Sequence, residues 1–222
     1  VTNRIAPLAL AALAGCTTAM ELGRAETLAR GEWELGGALG FSGYSNEREA
    51  PLGEATGGTT ILIPLLPFEE WVAYGITDRL EVSARVGTLS AQLGLKAGLI
   101  RSPDFSLALA GGVAADAYGR FLDGGALRSR LALIAGKRLP GRFELDLAPQ
   151  CAWPLDPGRW RPELLGATAS AYYVTAATGR RIGLAVTWLR YLATAPEPGE
   201  MSRADYLGLA LVFHGRRGVD HE

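Results

Sequence analysis

The sequence predicts an all-β fold, an antiparallel up-and-down transmembrane β-barrel of about ten strands. Three observations predict it. Apolar residues recur with a period of two in one segment after another. In Arg79-Leu-Glu-Val-Ser-Ala-Arg-Val86, for example, Leu80, Val82, Ala84 and Val86 share one parity and Arg79, Glu81, Ser83 and Arg85 the other, which places them on opposite faces of a strand. The chain is 48% hydrophobic, yet it has no run of the ~18 apolar residues that a spanning helix needs. Its connections also alternate in length. Those at Asp78, Pro103, Pro140 and Gly179 are tight, and those over 43–67, 118–125, 154–163 and 194–204 are longer, the asymmetry of short periplasmic turns and longer outer loops.

Composition narrows the function classes. The 222 residues suffice for one sizeable domain, and a net charge of −1 gives no basic excess for a nucleic-acid partner. Two cysteines exclude a disulfide scaffold, and no Cys-x-x-Cys or Cys/His cluster offers a metal site. The two histidines, His214 and His221, both lie near the C-terminal end. A histidine-based acid/base or triad site cannot be built on the outer loops, so a non-enzyme without cofactor is expected.

In chain order, residues 1–15 read as an export signal. Arg4 carries the positive charge and Ile5–Ala14 the short apolar region. The following Leu13-Ala14-Gly15-Cys16 resembles the lipobox of bacterial lipoproteins, which implies cleavage before Cys16 and acylation of that cysteine. Thr17 follows rather than aspartate, so the resemblance implies outer-membrane sorting. Residues 16–30 read as a periplasmic linker, with Glu21, Arg24, Glu26 and Arg30. A first strand over Gly31–Phe41 has Trp33, Leu35, Leu39 and Phe41 opposite Glu32 and Glu34. The connection 42–67 ends in the apolar Thr59-Thr-Ile-Leu-Ile-Pro-Leu-Leu-Pro67, whose prolines lack ladder donors and argue against a central strand. A strand extension above the membrane is expected, with a fold into the barrel mouth or a partner patch as the alternatives.

A strand over Glu69–Ile76 places Glu69 and Glu70 on opposite parities, at the far membrane interface. The hairpin already described follows, with Leu93, Leu95, Ala97 and Leu99 opposite Gln92, Gly94, Lys96 and Gly98. Further strands are expected at Phe105–Ala115, Ala126–Arg138, Arg142–Trp153, Leu165–Ala176, from Arg181 through Trp188, and at Asp205–His214. Cys151 reads as a small buried hydrophobe. His214 reads as an interfacial residue at the periplasmic end. Residues 215–222 read as a tail. In the loop before Leu165, Trp160 stands between Arg159 and Arg161, an interface anchor or a stacking residue.

The inward parity collects Glu32, Glu34, Glu81, Glu144 and Asp146 against Arg79, Arg85, Lys96, Arg128, Arg130 and Arg181. In a barrel this narrow these side chains meet across the lumen, and a half-paired buried charge is costly, so a connected network is expected. Basic residues near the short turns, Arg79, Arg101, Lys137, Arg138, Arg142 and Arg180, are placed to meet anionic head groups.

Residues 31–214 resemble small bacterial outer-membrane β-barrels. The alternation carries the likeness, together with a last strand whose apolar row Leu207, Leu209, Leu211 ends on Phe213. The resemblance implies an outer-membrane location, with both termini periplasmic and outer-membrane lipids as surroundings. The expected role is structural, or that of a partner for another envelope protein. A narrow channel for ions or small solutes and a soluble periplasmic ligand-binding barrel are the alternatives.

Overall fold

The structure is a computed structural model. It describes residues 23–48, 56–63, 68–87, 90–116, 127–155, 162–175, 180–192 and 201–217. Cys16, Trp160 and residues 64–67 lie outside these residues.

Eleven strands form one antiparallel sheet: β1 Trp33–Arg48, β2 Thr56–Ile63, β3 Phe68–Thr77, β4 Leu80–Gly87, β5 Ser90–Arg101, β6 Phe105–Asp116, β7 Leu127–Leu139, β8 Phe143–Pro154, β9 Leu164–Val174, β10 Arg181–Leu192 and β11 Met201–Arg217. Each of β3 to β11 pairs with its sequence neighbour. β1 pairs with both β3 and β11, which closes a ring of ten strands and leaves β2 outside it. Closure leaves no edge within the ring, the condition for a sheet to stand in hydrocarbon.

β2 is the outward continuation of β3. Ile63 pairs with Ser42 of β1 and Phe68 with Leu39 of the same strand. Between these two points the chain takes five steps where β1 takes three. β1 correspondingly runs to Arg48, well past the strand expected to end at Phe41, and β11 follows it with Arg203 opposite Glu47. The β4–β5 hairpin is short, its strands ending at Gly87 and Ser90.

The ring strands other than β1, β4 and β11 have 10 to 13 residues, about the length that a tilted strand needs to cross a bilayer core. The apolar parity faces outward on every one. Leu93 is 70% exposed and Leu35 65%, and Leu95, Leu147, Leu184 and Leu207 are similar. Water does not tolerate so continuous an apolar wall, whereas acyl chains cover it. Aromatic side chains mark both ends of the wall. At the short-turn end Trp33 packs on Tyr74 with centroids 4.6 Å apart, and Phe143 meets Tyr173 edge-on at 5.5 Å. Toward the other end stand the exposed Phe68 and Trp188.

Two local features bend the alternation. The β5–β6 register shifts between Gly98 and Ile100, so the adjacent Leu99 and Ile100 both face outward. Pro149 lies within β8, and the β7–β8 pairing lapses across Leu133 and Ile134, as the missing donor requires. Cys151 is half-buried rather than enclosed, because its parity is the outer one.

Val186 lies mid-strand on the outer face of β10. Val186→Arg is expected to cost about 2–4 kcal/mol in a bilayer, the midplane cost of arginine on a lipid face, read from unfolding midpoints in lipid vesicles. An unchanged midpoint would mean that this wall meets water.

Candidate functional site

Residues 23–30, the described part of the segment expected as a linker, are instead packed inside the barrel wall. Arg24, Ala25, Thr27 and Leu28 are each at most 2% exposed, because residues 23–30 fold into the short-turn mouth of the barrel. The wall is cut to receive them. A β-carbon on Gly75 of β3 would strike the Ala29 carbonyl, one on Gly98 of β5 would meet Thr27, and one on Gly136 of β7 would strike both the Asp146 carboxylate and Ala25. Three strands thus lose their inward side chains at the level where the segment passes.

Main-chain and polar contacts complete the seat. The Leu28 amide donates to Glu81 Oε2 at 3.1 Å, Thr27 Oγ1 to the Asp78 carbonyl at 3.0 Å, and the Arg30 amide to Asp78 Oδ1 at 3.0 Å. Lys96 Nζ donates to the carbonyls of Arg24 at 3.0 Å and Glu26 at 3.2 Å, and lies 2.9 Å from Glu81 Oε1.

Arg24 and Glu26 organise the charges of the mouth. Arg24 pairs with Glu26 (Nη2–Oε2 2.5 Å), Glu34 (Nη1–Oε2 3.3 Å) and Glu144 (Nε–Oε2 3.6 Å). Burial opposes its charge, but the surrounding carboxylates of Glu34, Glu144, Glu26 and Asp146 outweigh burial and raise its affinity for the proton. Glu26 meets Arg138 at 3.0 Å, Arg216 at 3.3 Å, and Arg101 and Arg181 at 3.6 Å each. Burial pushes its carboxyl up, yet Arg216, Arg24 and Arg138 hold it down at about 2. Arg181 also grips Glu144 with Nε–Oε2 2.7 Å and Nη2–Oε1 3.2 Å, a two-point guanidinium–carboxylate pair.

Above this plug lies an aromatic layer. His214, expected at the interface, is 2% exposed inside the lumen. Its Nδ1 sits 2.8 Å from Glu34 Oε1, and its ring lies edge-on to Trp71 at 5.0 Å and Tyr172 at 5.1 Å. Gly36 and Gly183 leave room for those two rings, since a β-carbon on either would strike the indole or the phenol. Arg216, expected in a tail, belongs to β11 and lies 3.5 Å from Glu34 Oε2.

Farther along the lumen Arg130 donates to Gln92 Oε1 at 2.8 Å and Gln150 Oε1 at 3.0 Å. Gln150 donates to Thr168 Oγ1 at 3.2 Å, and Thr168 and Thr187 share a bond of 2.8 Å. This ladder crosses β5, β7, β8, β9 and β10. Next to its β5 end, Arg85 of β4, the cross-strand partner of Gln92, pairs with Glu69 at 2.9 Å and lies over the Trp71 ring at 5.5 Å. Between them a cavity of about 40 Å³, lined by Trp71, Glu81, Arg85, Gln92, Lys96 and Arg130 among others, has room for about three waters. Arg128 faces Glu163 at 3.8 Å and Arg190 grips Asp205 at 2.8 Å toward the outer end.

Of the charges expected inside, Glu34, Glu81, Arg85, Lys96, Arg128, Glu144 and Arg181 are buried in the lumen, and Arg130 and Asp146 are half-buried there. Two differ. Arg79 is exposed, because β4 begins at Leu80 and Arg79 belongs to the turn. Glu32 precedes β1 and is half-buried at the mouth, where it accepts the Ala29 amide at 2.8 Å. The sequence reading missed Arg24, Glu26, His214 and Arg216. Gly75, Gly98 and Gly136, all on the inward parity near short turns, were the available signal that something fills that end.

No protein-family profile matches the chain, and no curated protein matches it in sequence. Solved structures do. The outer membrane protease OmpT from Escherichia coli is similar with a TM-score of 0.54 and 11% identity, over 88% of this chain and 100% of that one. An outer membrane channel from Pseudomonas putida F1 follows with a TM-score of 0.44 and 15% identity, over 89% of this chain and 100% of that one. The outer membrane protein OprG from Pseudomonas aeruginosa has a TM-score of 0.35 and 11% identity, again over 89% and 100%. The OmpT likeness establishes the fold, a closed ten-strand antiparallel barrel of the outer-membrane type, and carries no activity to this chain.

Arg24→Ala removes the cation shared by several buried carboxylates. It is expected to weaken docking of the segment by about 3–5 kcal/mol, so hydrogen exchange at the Leu28 amide speeds up roughly a hundredfold or more. Arg24→Lys recovers only part of this, since an ammonium cannot fork between carboxylates. Docking is also expected to depend on acid through Glu26. Its seated carboxyl titrates below the free one, so its contribution is whole above pH 4.5 and is lost as pH falls toward about 2. Hydrogen exchange of residues 24–28 measured down this range should show the loss, and Glu26→Gln should remove the Glu26 part of it.

Proposed function

We propose that this chain is a lipid-anchored outer-membrane barrel, non-enzymatic, whose lumen its own N-terminal segment closes and whose role in the envelope is structural or partner-binding. The observation that carries the reading is the seat of residues 23–30, with three glycines cut to its outline and Arg24 and Glu26 joined to the wall. A segment seated this way is part of the barrel rather than a tether. Acylation at Cys16 rests on the lipobox, and the outer-membrane location on the apolar outer wall and the fold. The non-enzymatic part is supported by His214, which is enclosed between Trp71 and Tyr172 and turned to Glu34 rather than presented at an outer loop. For a partner, the open surface is the β2 edge, which pairs with β1 on one side only among the described residues and suits recognition by strand addition.

A narrow channel is the second reading, favoured by the polar cavity beyond the plug. Planar-bilayer recording separates the two. The wild-type chain is expected to be silent, and Gly136→Leu, whose side chain collides with Ala25 as well as Asp146, is expected to unseat the segment and give small discrete steps. Reproducible steps from the wild type would put the channel first. In the same expression strain, labelled palmitate should enter the wild type and not Cys16→Ser; equal labelling would remove the anchor.

A further inference from the structure

Glu26 has more cationic neighbours than one carboxylate can use. Besides Arg24 from its own segment, it is met by Arg101 of β5, Arg138 of β7, Arg181 of β10 and Arg216 of β11, all within 3.6 Å. A carboxylate offers about four lone-pair sites, whereas each guanidinium brings five N–H donors in a fixed fork. Other acceptors take up part of the surplus. Arg138 and Arg181 also reach Glu144 at 3.3 Å and 2.7 Å, Arg216 reaches Glu34 at 3.5 Å, and Arg101 reaches the Asp78 carbonyl at 3.4 Å. The ring still converges on a single point from four separate wall strands. Phosphate fits the same forks as a carboxylate and, with more oxygens and more charge, can accept from more of them at once.

The ring is also reachable. The Arg101 and Arg138 side chains are 43% and 48% exposed. A second space of about 20 Å³ opens beside Glu26, lined by Arg24, Asp104, Arg138, Glu144 and Asp146 among others. Its acidic groups are Glu26 itself, Asp104, Glu144 and Asp146, balanced by Arg24, Lys137 and Arg138, and they limit how deep an anion can go. Arg181 is 6% exposed and Arg216 18%, so the ring sits within the mouth and not on the lipid-facing wall.

We propose that Arg101, Arg138, Arg181 and Arg216 form an oxyanion site at the short-turn mouth of the barrel, suited to a phosphate group, with the Glu26 carboxylate as its tethered occupant in the closed state. This goes beyond the closed-barrel reading, because it assigns a ligand chemistry to the mouth and does not depend on whether the lumen conducts.

The test uses the full chain in zwitterionic micelles, with inorganic phosphate titrated by calorimetry at constant ionic strength. Glu26→Ala is expected to bind one phosphate at least tenfold more tightly than the wild type. Adding Arg101→Gln and Arg138→Gln should weaken that binding at least tenfold. Those two side chains are half-exposed, and Glu144 keeps Arg181 without them, so the barrel keeps its buried pairs. Glu26→Gln preserves the segment's shape and should gain the same binding, which covers the case in which the alanine variant does not fold. Variants at Glu26 that bind phosphate no better than the wild type, or binding that ignores the two arginine replacements, would overturn the site. Repeating the titration in nanodiscs with and without phosphatidylglycerol assigns the source. Unchanged affinity supports a free solute phosphate, and a tenfold loss with the anionic lipid supports a head group in the same ring.

Discussion

A strand in a closed barrel gives every residue one of two destinations, the hydrocarbon or the lumen. No backbone group can be left unpaired in the first, so the ring closes through β1 and β11, and period-two alternation follows along each strand. Everything else in the structure answers the consequence. With Leu, Val and Ile turned outward, the residues turned inward include charges in a space too narrow to hydrate them freely.

The chain meets that constraint mainly by pairing its charges. Glu81 with Lys96, Glu144 with Arg181 and Glu69 with Arg85 are wall-to-wall pairs. At the mouth the wall pairs Glu144 with Arg138 and Arg181 and Glu34 with Arg216, and the segment adds a cation beside Glu34 and Glu144 and a carboxylate beside Arg101, Arg138 and Arg216. The Arg24-Ala25-Glu26 tripeptide fits between them with its positive end inward and its negative end outward. The plug is thus both a steric and an electrostatic part of the barrel, and the inward glycines of β3, β5 and β7 are its imprint. Toward the outer end the lumen changes character. The aromatic layer of Trp71, Tyr172 and His214 gives way to amides and hydroxyls joined through Arg130.

Much of the barrel could be read residue by residue. Leu80 and Val82 look away from the lumen that holds Glu81 and Arg85, and the short turns share one end. The boundaries drifted where alternation is silent. β1 continues past Phe41 through Gly43 and Tyr44 because β11 and β2 supply its partners, and nothing in residues 42–48 alone announces that pairing. His214 looked terminal because its strand was taken to stop there, whereas β11 runs on to Arg217. Arg79 looked lumenal because parity was extended one residue into a turn.

By itself the sequence determined the face of strand residues wherever alternation runs unbroken, and with it the all-β class and the approximate strand count, because a period of two is a local property that the backbone imposes on any regular strand. Only the tertiary structure decided that residues 23–30 fill the mouth, and that Arg24 and Glu26 meet partners from 10 to 190 positions away. That segment has no periodicity to betray it. Its conformation is dictated by glycine gaps and charges on strands that come together only once the ring has closed.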